Sequence, residues 1–369
     1  MLKAFKMKNN IKLIVISLSF LFLSYIGIQL FVPSDGGGKQ IEIEIPEGAS
    51  YRQAIDILAK NNLIRDRNLF TVVGRITRLD KRIRAGYYVF WGNMSPIQVL
   101  KKLKSGRIIE YEITIVEGDS LLEIGRKLAY NKIMPLEVFN SLTKDRDLLS
   151  SLDIDAPSFE GYLFPQTYKF AKGAKPVAVL KLMVNKMRDE FNDELRERAE
   201  EIGWSENQVL TLASIIEREA KTDEERPLIS AVYHNRIKKG MPLQADPTAI
   251  YGVKSNKHKI TRNDLRKKTD YNTYVIKGLP PGPIASPGIK SIQAALYPAK
   301  VPYLYFVSKN DGTHYFSKTL SEHNAAIKRI KAMKESARLE KEGLSASKTS
   351  EEDGIPKESQ TFWGVSEEG

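Results

Sequence analysis

Leu13 to Val32 (LIVISLSFLFLSYIGIQLFV) carries no charged residue, and a run of about 20 apolar residues at 1.5 Å per residue spans roughly 30 Å of hydrocarbon. Such a segment ties its end of the chain to a membrane, so everything else must fold on one side of it. Lys3, Lys6, Lys8 and Lys12 precede the run, and Asp35 is the first charge after it. Lysine excess marks the cytoplasmic flank, so residues 1–12 are expected in the cytoplasm, residues 13–32 in the membrane and the remainder outside the cytoplasmic membrane. Only Phe31-Val32-Pro33-Ser34 follows the run. This offers no small-residue cleavage site, and a retained single-pass anchor is expected rather than a cleaved signal peptide.

There is no cysteine, and the four histidines are His234, His258, His314 and His323. The first fact removes disulfides, thiolate metal sites, cysteine nucleophiles and lipid attachment through cysteine; the second leaves no HExxH-like ligand spacing. No metal and no other cofactor is expected. The formal charge of +12, from 57 basic and 45 acidic residues, suits an anionic partner such as a membrane surface or a cell-wall polymer. A nucleic-acid binder is the weakest of these readings, because the basic residues are dispersed, no recognition-helix motif is present and the topology faces away from the nucleoid.

After the anchor, Ser34-Asp35-Gly36-Gly37-Gly38 reads as part of a flexible linker, residues 33–39. Sliding the chain on itself by 70 residues aligns IEIEIPEGASYRQAIDILAKN (Ile41 to Asn61) with YEITIVEGDSLLEIGRKLAYN (Tyr111 to Asn131) at nine identical positions. Ile43/Ile113, Ile45/Ile115, Gly48/Gly118, Ser50/Ser120 and Asn61/Asn131 are among them. The pattern is a duplicated strand, glycine turn and helix, with Ser50 and Ser120 at helix N-caps. It divides the chain into a first repeat region, 40–110, and a second, 111–157. The second copy resembles the LysM module that recognises N-acetylated glycans, and the first is a more degenerate version. A spacer role that holds a distal domain off the membrane fits the pattern equally well, since a pattern fixes fold better than ligand.

Residues 158–336 then read as one larger domain, with a long helical stretch from Pro176 to about Ile202. Beyond Ala337 the composition turns to Ser, Glu, Lys and Gly, and residues 337–369 are expected to be a disordered tail. The fold class is α+β: one transmembrane helix, a small α/β repeat region and a mixed α+β distal domain.

Asn207 to Lys221 (NQVLTLASIIEREAK) has helical periodicity with a broad apolar arc of Val209, Leu210, Leu212, Ala213, Ile215 and Ile216. Glu217 and Glu219 fall at opposite margins of that arc, so the two face different sides. A glutamate with apolar neighbours loses hydration, its pKa rises and it can serve as a general acid. A helix-edge glutamate paired with a basic side chain accounts for the same pattern, and the local sequence favours that reading for either residue. Three downstream segments shift the balance: LISAVYHNRIKKGMPLQADPTAIYGV (from Leu228), DYNTYVIKGLPPGPIASPG (from Asp270) and YPAKVPYLYFVSKNDGTHYFSKTLSEHN (from Tyr297) are dense in amides, tyrosines and Pro/Gly turns. Loops of that kind wall a sugar-binding cleft with donors and aromatic faces.

Taken in order, LASIIEREA, NR-KKGMPLQADPT-IYG, YNTY-I-GLPPGPIASPG and PYLYFV…GTHYFS…HN closely resemble the YceG-like family of endolytic murein transglycosylases. The resemblance covers most of the chain, anchor and repeats included. It implies a membrane-anchored lyase on the extracytoplasmic face that cuts MurNAc–GlcNAc bonds within nascent peptidoglycan glycan strands, leaving 1,6-anhydro-MurNAc ends and terminating elongation beside the peptidoglycan synthases (penicillin-binding proteins). The family's catalytic acid/base is the second glutamate of its ExE pair, here Glu219, with Glu217 auxiliary at most. Ala220 departs from the Thr or Ser that commonly follows, which removes a hydroxyl neighbour. Gln244, Asp246, Tyr251, Tyr271, Asn272, Thr273 and Tyr274 fall in motifs that resemble the family's substrate cleft. Two alternatives stand beside this expectation: a hydrolytic muramidase, which leaves reducing ends, and a non-catalytic scaffold that holds synthases near glycan.

Overall fold

The computed structural model describes residues 2–34, 37–79, 83–253 and 260–352. Within the linker, Asp35 and Gly36 lie outside the described residues, as do His258 and the chain from 353 onward. The chain divides into two compact units, Met1–Glu190 and Phe191–Gly369. Helices and strands are mixed, and each of the three described strand pairs is an antiparallel two-stranded sheet.

The first unit opens with helix α1 (Leu2–Phe31), in which Asn9–Phe31 is long and apolar enough to cross a membrane, with mean hydropathy 2.2 and none of that window buried. Arg65 donates to the carbonyls of Val32 (3.0 Å) and Pro33 (2.5 Å) just past its end. A cation suits that position, where backbone carbonyls are left without helical partners.

The first repeat runs β1 (Gln40–Ile45), α2 (Tyr51–Lys60), α3 (Arg67–Ile76) and β2 (Gly86–Trp91), followed by α4 (Pro96–Ser105). The second runs β3 (Glu110–Thr114), α5 (Leu121–Tyr130), α6 (Leu136–Leu142), α7 (Arg146–Ser150) and β4 (Thr167–Ala171), followed by α8 (Pro176–Glu190). In each copy the opening strand pairs with a returning one: Ile43 lies opposite Tyr88, and Ile113 opposite Tyr168. Period-2 alternation puts those residues on the buried face, together with stacked Tyr88/Phe90 (5.9 Å between centroids) and Tyr168/Phe170 (5.6 Å). Strand β4 lies within the stretch expected to belong to the distal domain, and it completes the sheet of the second repeat.

Matched residues do matched work. Gly48 and Gly118 have φ of 77° and 81°, a region open to glycine without steric cost. Ser50 forms a reciprocal capping box with Gln53, while the N–H and hydroxyl of Ser120 both donate to Glu123. Asn61 and Asn131 each donate a side-chain N–H to the carbonyl four residues back, at 2.8 Å.

The second unit holds α9 (Asp193–Glu201), α10 (Glu206–Glu219), α11 (Arg226–Lys238), α12 (Asp246–Ile250), α13 (Arg262–Arg266), α14 (Ile289–Leu296), the hairpin β5 (Tyr305–Ser308) and β6 (His314–Ser317), and α15 (Leu320–Glu352). The helical stretch expected from Pro176 to Ile202 is two helices, because Asn192 caps a new one by accepting from the Leu195 N–H at 3.1 Å. Helix α10 is the central element, packed on α14 and α11, with Leu210, Leu212, Ala213, Ile215 and Ile216 fully buried. Residues 337–352 continue α15 where a disordered tail is expected. Their Ala, Leu, Glu and Lys content favours helix even with few apolar residues, and an Arg338–Glu335 ion pair at 3.0 Å spans one turn.

Candidate active site

Ser205 starts α10 with a capping box, accepting from the Gln208 N–H (3.2 Å) while its own N–H donates to Gln208 Oε1 (2.9 Å). Fourteen residues later the helix stops, because Ala220 turns to extended backbone at φ −70° and ψ 136°. Glu217 and Glu219 therefore occupy the last helical turn. At about 100° per residue they point roughly 200° apart.

Glu217 turns inward. Its Oε1 meets Arg226 Nη1 at 3.0 Å, its Oε2 accepts the Gly288 N–H at 2.9 Å, and its side chain is 6% exposed. Arg226 also reaches Asp223 Oδ1 at 3.0 Å and the Ser291 hydroxyl. Both carboxylate oxygens thus hold α10 against α11 and the Gly288 turn, and Glu217, expected as an auxiliary group, is not among the residues that line the cleft Glu219 faces.

Glu219 faces the other way, into a cleft of about 480 Å3 that it lines together with Gln244, Asp246, Tyr274, Phe306 and His314. The remaining wall comes from the β5–β6 hairpin and from α15, through residues such as His323, Ile327 and Ile330. Loss of hydration pushes the Glu219 carboxyl up to about 7, and the negative charge of Asp246 adds to the effect. Hydrogen bonds from the Tyr233 phenol (3.4 Å to Oε1) and the Asp246 backbone, with the charge of Lys221, act in the opposite direction and are outweighed. Asp246, at the start of α12, accepts the Tyr274 phenol at 2.6 Å. Burial raises the pKa of both phenols, so each stays a proton donor at neutral pH.

Gln244 is held at the cleft with φ of 50°, a left-handed backbone that is uncommon for a residue other than glycine. Its N–H donates to the Thr273 carbonyl at 3.0 Å, and Arg236 Nη1 approaches its Oε1 at 3.5 Å.

Four of the expected substrate-cleft residues do other work. Asn272 is fully buried, its amide donating to the carbonyls of Asp264, Leu265 and Lys267 and its Oδ1 accepting the Tyr274 N–H. Thr273 is equally buried, its hydroxyl bonded to the Ala245 N–H and to Thr248. They fasten the loop that presents Tyr274. Tyr251 and Tyr271 pack on each other at 4.6 Å between centroids and are not part of the cleft wall.

Sequence reasoning missed Tyr233, Arg236 and the pair His314–Glu225. Arg236 ties α11 to the hairpin and the Gln244 loop, donating to the carbonyls of Leu304 (2.7 Å) and Leu243 (2.6 Å). Glu225 accepts both the N–H and the Nδ1 of His314, at 2.8 and 2.6 Å. The NR and GTHYFS segments contain Arg236 and His314, yet nothing in their spacing reveals which partners they meet across the fold.

A family model described as the YceG-like family matches residues 43–329. A protein of Bacillus subtilis (strain 168) named endolytic murein transglycosylase is 34% identical over 318 residues, covering 81% of this chain and 88% of that protein. One of the same name from Streptococcus pneumoniae serotype 2 (strain D39) is 27% identical over 361 residues, covering 86% of this chain and 65% of its own length. The crystal structure of a yceG-like protein from Listeria monocytogenes superposes with a TM-score of 0.55 at 32% identity, covering 78% of this chain and 99% of that one.

Proposed function

The chain belongs to the YceG-like family, and from that premise we infer that it is an endolytic murein transglycosylase, a lyase that cuts within peptidoglycan glycan strands. The observation that carries the chemistry is Glu219: a carboxyl at the edge of a cleft, its pKa lifted to about 7, beside a second carboxylate held by a tyrosine. A group that titrates near neutrality can give a proton in one step and take one in the next.

In the first step the Glu219 carboxyl donates its proton to the glycosidic oxygen as the bond to C1 of the muramic sugar breaks. The oxygen of that sugar's own 2-acetamido group bonds to C1 and carries the developing charge. In the second step the Glu219 carboxylate takes the proton of the C6 hydroxyl, whose oxygen attacks C1 and displaces the acetamido oxygen. The product is a 1,6-anhydro ring, and no water is consumed. Asp246 supplies negative charge beside the oxocarbenium-like centre, and Gln244 offers an amide to orient the acetamido group. Tyr233 gives Glu219 the hydroxyl neighbour that Ala220 does not.

Asp246 also favours a second reading, because a carboxylate beside the acid is what a hydrolytic muramidase needs to activate water. Mass spectrometry of glycan strands incubated with the protein and with Glu219→Gln separates the possibilities. New 1,6-anhydromuramic ends from the wild type alone support the lyase; reducing ends turn the reading to hydrolysis. Binding with no new ends identifies a cell-wall scaffold for the synthases and defeats both.

The second unit is the catalytic domain in this reading, and α1 is a single-pass anchor that leaves the repeats and the catalytic domain outside the cytoplasmic membrane. The order of the first repeat, β-α-α-β, and the matching strand–turn–helix opening of the second support a LysM-like assignment, with glycan binding or spacing from the membrane as the role.

A further inference from the structure

The cleft has two chemically different sides. Glu219 and Asp246 make one of them acidic, whereas the α15 wall is basic and carries Lys331 and Lys334. These lysines share a helical stripe with His323, Ile327 and Ile330, at spacings of four, seven, eight and eleven residues from His323, so one face of α15 borders the cleft along three turns. Contacts of α15 with β5 and β6 hold that face in place. Ile330 is 8% exposed, which roots the stripe, and among the described residues neither lysine forms an ion pair with a carboxylate.

The substrate inferred above has a charge pattern of its own. In a peptide-bearing murein strand the lactyl carboxyl of each muramic sugar is tied up as an amide, so the strand's carboxylates belong to the peptides that hang from the muramic residues. A cation close to Glu219 would draw off the proton that the reaction needs. The charge of Lys221 acts on that carboxyl, and Lys331 and Lys334 stand on the α15 wall of the same cleft, on a different element from the acid. They can meet an anion and leave the acid intact.

We propose that Lys331 and Lys334 form a subsite for the carboxylates of the peptide carried by the muramic residue, so that the cleft selects glycan with charged peptides over glycan whose peptide carboxylates are masked as amides. This rests on the lytic transglycosylase reading. Both lysines lie past residue 329, where the family match ends.

The test uses the full-length protein in detergent and two substrates: glycan strands with their peptides, and the same strands with the peptide carboxylates converted to amides. Two exposed charge pairs give the wild type a KM roughly three- to tenfold lower on the strands with free peptide carboxylates. Raising salt from about 50 to about 500 mM abolishes that ratio. In Lys331→Glu/Lys334→Glu the ratio falls to about one or inverts, and in Lys331→Arg/Lys334→Arg it persists. Because the readout is a ratio on one preparation, a general loss of folded protein cancels. Affinity of the two strand types for Glu219→Gln, measured by fluorescence anisotropy, reports the subsite even where cleavage fails, which separates this inference from the reaction it rests on. Equal affinity for both strand types at low salt, or a wild-type preference that survives the double charge reversal, overturns the proposal.

Discussion

Replacing Glu217 and replacing Glu219 remove the same chemical group from the same helical turn, yet the two changes act on different free energies. Glu217→Gln takes the charge from a buried pair and leaves Arg226 with Asp223 and Ser291 as partners. We expect a loss of about 3 kcal/mol and a melting temperature lower by roughly 6–12 °C in calorimetry, with turnover per folded molecule retained. Glu219→Gln removes the acid itself, and strand cleavage should fall by at least about a thousandfold. Its effect on stability has the opposite sign. A carboxyl whose folded pKa of about 7 lies above its ordinary value of 4.5 binds its proton more tightly in the native state, so native stability declines as pH rises from 4.5 to 7. Gln escapes that penalty. Discounted for the partial exposure of Glu219, the variant should be more stable than wild type by roughly 1–2 kcal/mol at about pH 8 and no more stable at about pH 4, as read from urea unfolding at the two pH values. Asp246→Asn removes an anion that helps hold the proton on Glu219, so the alkaline limb of the pH–rate profile should move to lower pH. A limb that stays put would mean that burial alone sets the acid.

Helix α10 was readable from its letters because local rules agree there: a serine cap, a 3.6-residue apolar period and glutamates at the margins of the arc. The same local logic showed the opening half of each repeat, Gly48 with Gly118 and Ser50 with Ser120. It could not show the returning strands. Tyr88 lies 45 residues after its partner Ile43, and Tyr168 lies 55 after Ile113, so a constant offset finds the first half of the unit and loses the second. The cleft was legible to the same degree. Gln244, Asp246 and Tyr274 reach it, whereas Asn272 and Thr273, neighbours of Tyr274 in one motif, turn into the loop that supports them. A motif tells which residues travel together, and only the backbone decides which of them face outward. The two repeats also pack differently. A Cβ on Gly125 of α5 would lie 2.6 Å from Phe139 Cδ1 and 2.8 Å from Leu136 Cδ1 on α6, whereas the matching position of α2 is Ile55, fully buried. Gly125→Ala should therefore destabilise the first unit by about 1–3 kcal/mol through overpacking, seen as a lower urea midpoint. An unchanged midpoint would show that α6 moves aside freely.

At the scale of the whole chain, the apolar run and the lysines ahead of it set the expected sidedness. An alkaline phosphatase reporter, active only outside the cytoplasm, should be active when fused after residue 352, and a reporter that needs the cytoplasm should be silent there; the reverse pattern would overturn the orientation. Arg65 bears on how the first repeat stands relative to α1. By donating to the carbonyls of Val32 and Pro33 it ties that repeat to the C-terminal end of α1. A tethered enzyme on a leash samples a volume, and its cuts fall wherever diffusion brings a strand. For the anchored enzyme proposed above, the Arg65 tie would shorten that leash and draw the search volume toward a fixed standoff from the bilayer, and the length of glycan left on either side of a cut would become in part a matter of metrology.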